Sequence, residues 1–384
     1  MEPNPETEPL HIQLGAPSSR CRSQRFLDGA LEITSAHGVA RPDVLLVHCL
    51  GGEFSGRVLV VGSREGVVAL AAARLHESAE VHLQLLDAYE RHRVAATIAL
   101  NEITGVRVLL QSDLARDASY DWVIFPARHT GEAVLAGELL RQAFVSLKKG
   151  GKLLAASDDP GDSWLRGQME EVFGSVTIHW RGEQGTVYIA RKRDDKPPRE
   201  RRYRREFRAK LFGQEVALES RPSVFSHGEL DEGTLALSEM ATLREDSVVA
   251  DLGCGSGAIG VAAALAAPRG LAVLVDSNLR AVEASQASVR RAGVQDRALV
   301  VLSCDLDSLR SNAFDLVLAN PPYFSDYRIA ELFVSTARRI LKRGGELLLV
   351  TKAPERPSEI VGATFAEFEP LSRRGYTVFK ATKT

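Results

Sequence analysis

Cysteine is scarce. The four residues, Cys21, Cys49, Cys254 and Cys304, are too few and too scattered for a disulfide framework. No C-x-x-C or His/Cys spacing points to structural zinc. Net charge is nearly absent, −2, with 45% hydrophobic and 26% charged residues. That balance excludes collagen-like, wholly disordered and membrane-embedded classes. No run reaches the ~18 uncharged apolar residues that a membrane span needs, because glycines break the best candidate, Leu252 to Pro268. The opening MEPNPETEPL is acidic and proline-rich, unlike a signal or transit peptide. A reducing cytoplasm is the expected compartment.

What is there is unevenly spread. The chain has 384 residues, long for one domain and suited to two of ~150–200 residues each. Residues 1–190 carry a net −6, residues 191–210 a net +7 and residues 211–384 a net −3. The basic block, RKRDDKPPRERRYRREFRAK, reads as a linker with an electrostatic task. Its Tyr203 and Phe207, set among arginines, suit phosphate contact and base stacking as well as a solvated charged tether does.

The sequence also repeats itself. RVLVVGSREG from Arg57, followed by VVALAAA, parallels VVADLGCGSG from Val248, followed by AIGVAAA. Each copy continues with an apolar strand ending near an acid, Asp87 and Asp276, then a second such strand, Asp113 and Asp305. Further on come YDWVIF and FDLVLA, then SLKKGGKLLAAS and ILKRGGELLLVT, then GTVYIARK and GYTVFKATK, with matched features 189 to 194 residues apart. Short apolar strands alternating with helices imply βαβ units and parallel sheets. The expected organisation is an N-terminal extension over 1–40, a first α/β domain over 41–190, the basic linker over 191–210 and a second α/β domain over 211–384. Two closely spaced final runs in each copy favour an antiparallel hairpin closing each sheet, unlike a dehydrogenase.

The glycine loop leaves its ligand open. Asp251-Leu-Gly253-Cys-Gly255-Ser-Gly257, with Asp276 nineteen residues after Gly257, suits any adenosine-containing cofactor: glycines admit the ligand to the backbone, and an acid accepts from ribose hydroxyls. Asn320-Pro321-Pro322-Tyr323 narrows the choice. It follows the apolar run FDLVLA and therefore lies at the carboxyl end of a strand, beside the ligand crevice of an open α/β sheet. Two prolines stiffen the turn and delete two amide donors. The Asn320 oxygen and neighbouring carbonyls then suit a group with two N–H donors, and Tyr323 offers a face for a planar ring.

At these residues the sequence resembles the class I S-adenosylmethionine-dependent methyltransferases that modify a nitrogen of planar substrates. Within them it resembles the tandem-domain ribosomal RNA guanine-N2 methyltransferases. Arg221-Pro-Ser-Val-Phe225-Ser226 and Leu230-Asp231-Glu-Gly233-Thr234 look like that family's P-G-V-F-S and L-D-x-G-T segments, with Ser223 where glycine is usual and Tyr323 where many members have phenylalanine. The resemblance implies two Rossmann-like domains with mostly parallel seven-stranded sheets, S-adenosylmethionine as cofactor, and ribosomal RNA or a ribosomal subunit as partner, without membrane or metal. It places Gly253, Gly255 and Gly257 under the methionine and ribose of the cofactor, with Asp251 beside them, Asp276 at the ribose hydroxyls and Asp305 at the adenine amine. Asn320 and the Pro321 carbonyl would hold the target amine, Tyr323 would stack on its ring, and Phe225 and Ser226 would line the mouth. The lesser alternative for Asp305 is a turn acid at a strand end, and Asp231 equally suits an ordinary N-cap.

The first copy departs from this pattern. Val60, Arg64 and Glu65 stand at Asp251, Gly255 and Ser256, and FPAR from Phe125 replaces NPPY. It is expected to be degenerate, supporting the second copy or holding RNA. Protein-glutamine N5 and adenine-N6 methyltransferases share NPPY, and a non-enzymatic RNA-binding factor would share the fold.

Overall fold

The computed structural model describes residues 21–52, 54–128, 132–322 and 327–384. Tyr323, expected to stack on the substrate ring, lies outside them, as does the acidic opening segment.

The first half runs β1 (Arg22–Phe26), β2 (Leu31–Ser35), α1 (Arg41–Cys49), β3 (Arg57–Val61), α2 (Val67–Leu75), β4 (Glu80–Leu85), α3 (Ala88–Asn101), β5 (Val106–Leu110), β6 (Tyr120–Ala127), α4 (Ala133–Ser146), β7 (Leu147–Ser157), α5 (Ser163–Phe173), β8 (Val176–Gly182) and β9 (Gly185–Arg191). The second runs β10 (Arg205–Leu211), β11 (Gln214–Ser220), α6 (Glu232–Met240), β12 (Val248–Leu252), α7 (Ala258–Ala266), β13 (Leu271–Asp276), α8 (Leu279–Ala292), β14 (Ala298–Leu302), β15 (Phe314–Ala319), α9 (Arg328–Ile340), β16 (Leu341–Thr351), α10 (Glu355–Thr364), β17 (Glu367–Arg373) and β18 (Tyr376–Thr382).

Two seven-stranded sheets result, β5-β4-β3-β6-β7-β9-β8 and β14-β13-β12-β15-β16-β18-β17. In each, five strands are parallel and the last two close the sheet as an antiparallel hairpin. The central strands are covered on both faces by helices, which is why they read as unbroken β-branched runs and not as alternating ones. Helix α7, AIGVAAALA, is buried from Ala258 through Ala264, so it needs no polar stripe. Gly260 lets it approach the sheet: a Cβ there would stand 2.2 Å from Leu274 Cγ.

The duplication extends further than expected. A hairpin precedes each sheet, β1–β2 and β10–β11. The first occupies part of the supposed extension, yet Phe26, Leu31 and Ile33 are buried in the first domain's core. The second takes up the end of the supposed linker. Its Phe207, Ala209 and Leu211 turn inward while Arg208 and Lys210 face solvent. Such short hairpins owe their stability to the domain beneath them, so little in the sequence marks them. High charge hid the two-residue alternation of β10.

The repeat also registers differently at one acid. Helices α3 and α8, and strands β4 and β13, are each offset by 191 residues. The counterpart of Asp276 is therefore Leu85, and Asp87 matches Asn278. Both are helix N-caps: Asp87 accepts from the amides of Tyr89 and Glu90, and Asn278 from that of Arg280.

Candidate active site

Asn320 follows the central strand β15 and lies across from the start of α6. Its Nδ2 donates to Asp231 Oδ2 at 2.8 Å and to Thr234 Oγ1 at 3.4 Å. A carboxylate offers only acceptors, so the amide nitrogen must face Asp231 and the Asn320 carbonyl oxygen is turned the other way. Asp231 is the N-cap of α6, accepting from the Thr234 amide, and it also accepts from the Tyr376 hydroxyl at 3.2 Å. It thus does more than cap. Sequence reasoning left this positioning role unassigned, although the L-D-x-G-T segment was its signal. Pro321 is buried behind Asn320.

The glycine loop joins β12 to α7. Gly253, Gly255 and Gly257 have φ of +77°, +55° and +82°, conformations that disfavour any side chain. A Cβ on Gly257 would meet Ser285 Oγ at 2.9 Å, whereas one on Gly255 would find only Val224, at 3.9 Å. Gly255 therefore borders open space, the place where a ligand can approach the backbone. Asp276, at the end of β13, accepts from the Gly255 amide at 3.0 Å and from the Asn278 amide at 2.9 Å. Burial pushes its pKa up to about 6, with the Asp87 charge adding to the rise. Each of its oxygens keeps a lone pair for a further donor.

Asp251 plays another part. It is buried in β12 and accepts from the Gly260 amide at 2.9 Å, fastening the loop to α7, and burial raises its pKa to about 7. Asp305 is exposed just past β14, where it accepts from Ser303 Oγ and the Asp307 amide, each at 3.1 Å. This is an acid-closed turn whose carboxylate is open to solvent. The segment Arg221–Ser226 covers the loop. Val224 packs on Ala281 and Ala284, Phe225 is 57% exposed beside it, and Ser226 adopts φ +51°. Ser223, at φ +82°, has the left-handed backbone that glycine favours. Its cost is offset by bonds from Asn278 Nδ2 to Ser223 O and Oγ.

The first domain holds this segment in place. Arg221 donates to Asp113 at 2.6 Å, Glu138 at 3.3 Å and Glu283 at 3.0 Å. Arg280, fully buried, donates to Glu138 at 2.6 Å, to the Ser112 carbonyl at 2.8 Å and to the Pro222 carbonyl at 3.1 Å. Ser223 N donates to Glu132 at 2.9 Å. Two further bonds, Ala88 N to Ser277 O and Leu279 N to Leu86 O, both 2.8 Å, are images of each other under the 191-residue offset. The domains therefore meet about a local two-fold at the strand ends, with Asp276 beside it.

The linker is less free than expected. Arg201 donates to both Glu171 oxygens, at 2.7 and 2.8 Å, and Arg204 to Glu219 at 2.7 Å. Tyr203 has its hydroxyl buried without a partner among the described residues, and Phe207 packs against the second domain's core. Neither ring is placed for stacking on a base. Among the described residues no helix is long and apolar enough to cross a membrane, and no cluster of three metal-ligating side chains occurs.

A paired set of open α/β sheets, one with a glycine loop and a strand-end asparagine, defines a methyltransferase architecture. The chain matches the methyltransferase small domain family over residues 32–189 and again over 215–380, and it belongs to that family. It is similar to the ribosomal RNA small subunit methyltransferase C of Vibrio vulnificus, 25% identical over 345 residues, 86% of this chain and 95% of that protein. The protein of the same name from Pseudoalteromonas translucida is 32% identical over 185 residues, 47% of this chain and 51% of its own length. Among solved structures, the 16S rRNA N2 methyltransferase of T. thermophilus, in complex with AdoMet and guanosine, superposes with a TM-score of 0.78 at 23% identity, covering 94% of this chain and 98% of its own. That likeness shows the tandem fold.

Proposed function

We propose that this chain uses S-adenosylmethionine to methylate the exocyclic N2 of a guanine in ribosomal RNA, and that its second domain carries the reaction. The orientation of Asn320 carries this reading. Asp231 and Thr234 take both hydrogens of its amide nitrogen, so its carbonyl oxygen is available to accept from an amine. The exocyclic amine of guanine shares its lone pair with the ring and is a poor nucleophile. An acceptor on its N–H favours the positive charge that develops as the nitrogen is alkylated. The cofactor supplies an already activated methyl on a sulfonium; the residues around the loop fit it. Gly255 borders open space, Asp276 offers acceptors to ribose hydroxyls, and Asp231 and Asp276 place carboxylates around the site, as a cation prefers. Asp305 is open to an adenine amine, and Phe225 stands at the mouth. Most of the remaining acceleration is in-line placement, worth up to ~7–11 kcal/mol in ideal cases.

The names of the Vibrio and Pseudoalteromonas relatives support ribosomal RNA as substrate. In the first domain Leu85 replaces the ribose-binding acid and Arg64 the open glycine, which leaves one cofactor site per chain. The test is transfer of labelled methyl from S-adenosylmethionine to small-subunit particles or their RNA, followed by nucleoside mass spectrometry. N2-methylguanosine is the expected product. Label in protein would favour glutamine as substrate, and label in neither would remove the assignment.

A further inference from the structure

We infer that the first domain has turned its former cofactor cavity into a phosphate site. A cavity of about 540 Å³ lies over its degenerate glycine loop. Its lining includes Arg64 and Glu65, which replace Gly255 and Ser256, and Arg128, just past β6, which the strand pairings align with Pro322 and not with Tyr323. Arg22 and Arg93 add two more guanidiniums and Asp43 a second acid. Four arginines against two carboxylates leave the lining at +2 with His37 neutral.

This charge is opposite to that of the second domain's crevice. A sulfonium would be repelled, and Leu85 cannot accept from a ribose. Arginine instead favours planar, bidentate recognition of phosphate oxygens. Part of the cationic excess is uncommitted. Arg93 is held by Glu65, and Arg64 has Glu90 at 3.1 Å, but Arg22 and Arg128 have no ion-pair partner among the described residues. Burial first, then the Arg64 charge, push the Arg128 pKa down against the pull of Asp43, Glu90 and Asp158.

A second observation points to a ligand. Ser35 is fully buried and lines the cavity, yet its Oγ has no hydrogen-bond partner among the described residues. A buried hydroxyl without a partner costs about 1–3 kcal/mol, a cost that a ligand oxygen would remove once the Ser35 rotamer turns its Oγ toward the cavity. The charge of one catalytic-domain residue, Arg328, is felt at the cavity wall. Burial first, then Arg93 and Arg328, lower the His37 pKa, and Arg328 opens α9, the helix that follows the Asn320 turn. With Arg328 of the catalytic domain near this wall, the ligand is taken to be a backbone phosphate of the RNA that the second domain acts on.

That source rests on the proposed RNA substrate; a free phosphorylated sugar has the same chemistry. The test titrates the full chain with ribose 5-phosphate, with ribose, and with a small-subunit RNA fragment at several salt concentrations. The Arg64→Gln/Arg128→Gln variant should bind phosphate at least about tenfold more weakly, the loss of one charge-assisted hydrogen bond. Asp43→Asn should strengthen binding, since it removes a negative charge without shrinking the cavity. Unchanged melting temperatures establish that both variants fold. Parallel losses with RNA, including a smaller salt slope, identify the RNA backbone as the source. A loss confined to ribose 5-phosphate identifies a free phosphate ligand. If neither ligand responds to these variants, the site does not exist. If the unaltered chain binds no RNA, the RNA reading of the catalytic site falls, while the ribose 5-phosphate titration still decides this one.

Discussion

Asn320 is held by two acceptors on one side of its amide, so its other side is committed to accepting. Asn320→Ala should lower methyl transfer by ~10²–10³-fold, the usual cost of losing one aimed polar group at a reacting centre. S-adenosylmethionine affinity, which rests on the glycine loop and Asp276, should stay within a few-fold. Asp231 tests the same geometry from behind. Asp231→Ala frees the Asn320 amide to rotate and removes a helix cap, at about 1 kcal/mol of stability. Asp231→Asn can keep its oxygen toward Thr234 N and Asn320 and turn its nitrogen toward Tyr376. If Asp231 only positions, single-turnover rates will be low in the alanine variant and near normal in the asparagine one. Equal losses in both would mean that the carboxylate charge itself takes part.

Among the elements, the basic segment and the hairpin it enters separate into two kinds of arginine. Arg201 and Arg204 are engaged with Glu171 and Glu219, whereas Arg202 has only Glu206 at 3.7 Å. Exposed ion pairs of this kind contribute about 0–1 kcal/mol, so Arg201→Ala and Arg204→Ala should change stability slightly. A phosphate contact instead shows in the salt dependence, with a slope of roughly 0.7–0.9 per contact. Arg202→Ala/Arg205→Ala should therefore flatten the salt dependence of RNA binding by more than Arg201→Ala/Arg204→Ala. The reverse order, read from binding isotherms at several salt concentrations, would return this segment to a purely structural role.

At the level of the whole molecule, the two domains are joined by buried charge. Arg280→Ala leaves Glu138 with Arg221 and the Gln142 amide, and breaking a buried pair typically costs about 3–5 kcal/mol. Equilibrium denaturation should show that loss, together with weaker coupling between the domains. The pH dependence follows from the raised carboxylates. Burial lifts Asp43 and Asp276 to about 6 and Glu90 and Asp251 to about 7. Between the ordinary carboxylate range and these values the folded chain binds more protons than the unfolded one. Stability contributed by these groups is therefore lost as pH rises through them. Asp113 has the opposite sign. Burial works to raise it but is outweighed by Arg221 and Gln142, so its pKa is lowered, and its contribution disappears only in acid. The lowered pKa values of His37, His82 and His227, chiefly from burial, act in the opposite sense below about pH 7. The melting temperature should accordingly rise from about pH 8 to about pH 7; a fall over that interval would contradict the carboxylate burials.

The sequence by itself determined the two α/β domains, the succession of strands and helices along each and the closing hairpins, and it named candidate residues for the second crevice. Those features are written locally: an apolar run, a glycine turn, an acid or NPPY at a strand end. The reading missed what depends on distant partners. The strands β1, β2 and β10 are short or charged, and they become strands because a core lies beneath them. Asp87 looked like the counterpart of Asp276 because both are acids near a strand end, and the helix registers move the match to Asn278. Asp231 reads as a cap until β15 brings Asn320 within 2.8 Å. Arg221 and Arg280 carry no local signal, because a buried arginine is specified by acids 62 to 142 residues away. Tertiary structure decided these, since hydrogen bonds and ion pairs depend on distance in space, and sequence patterns record only distance along the chain.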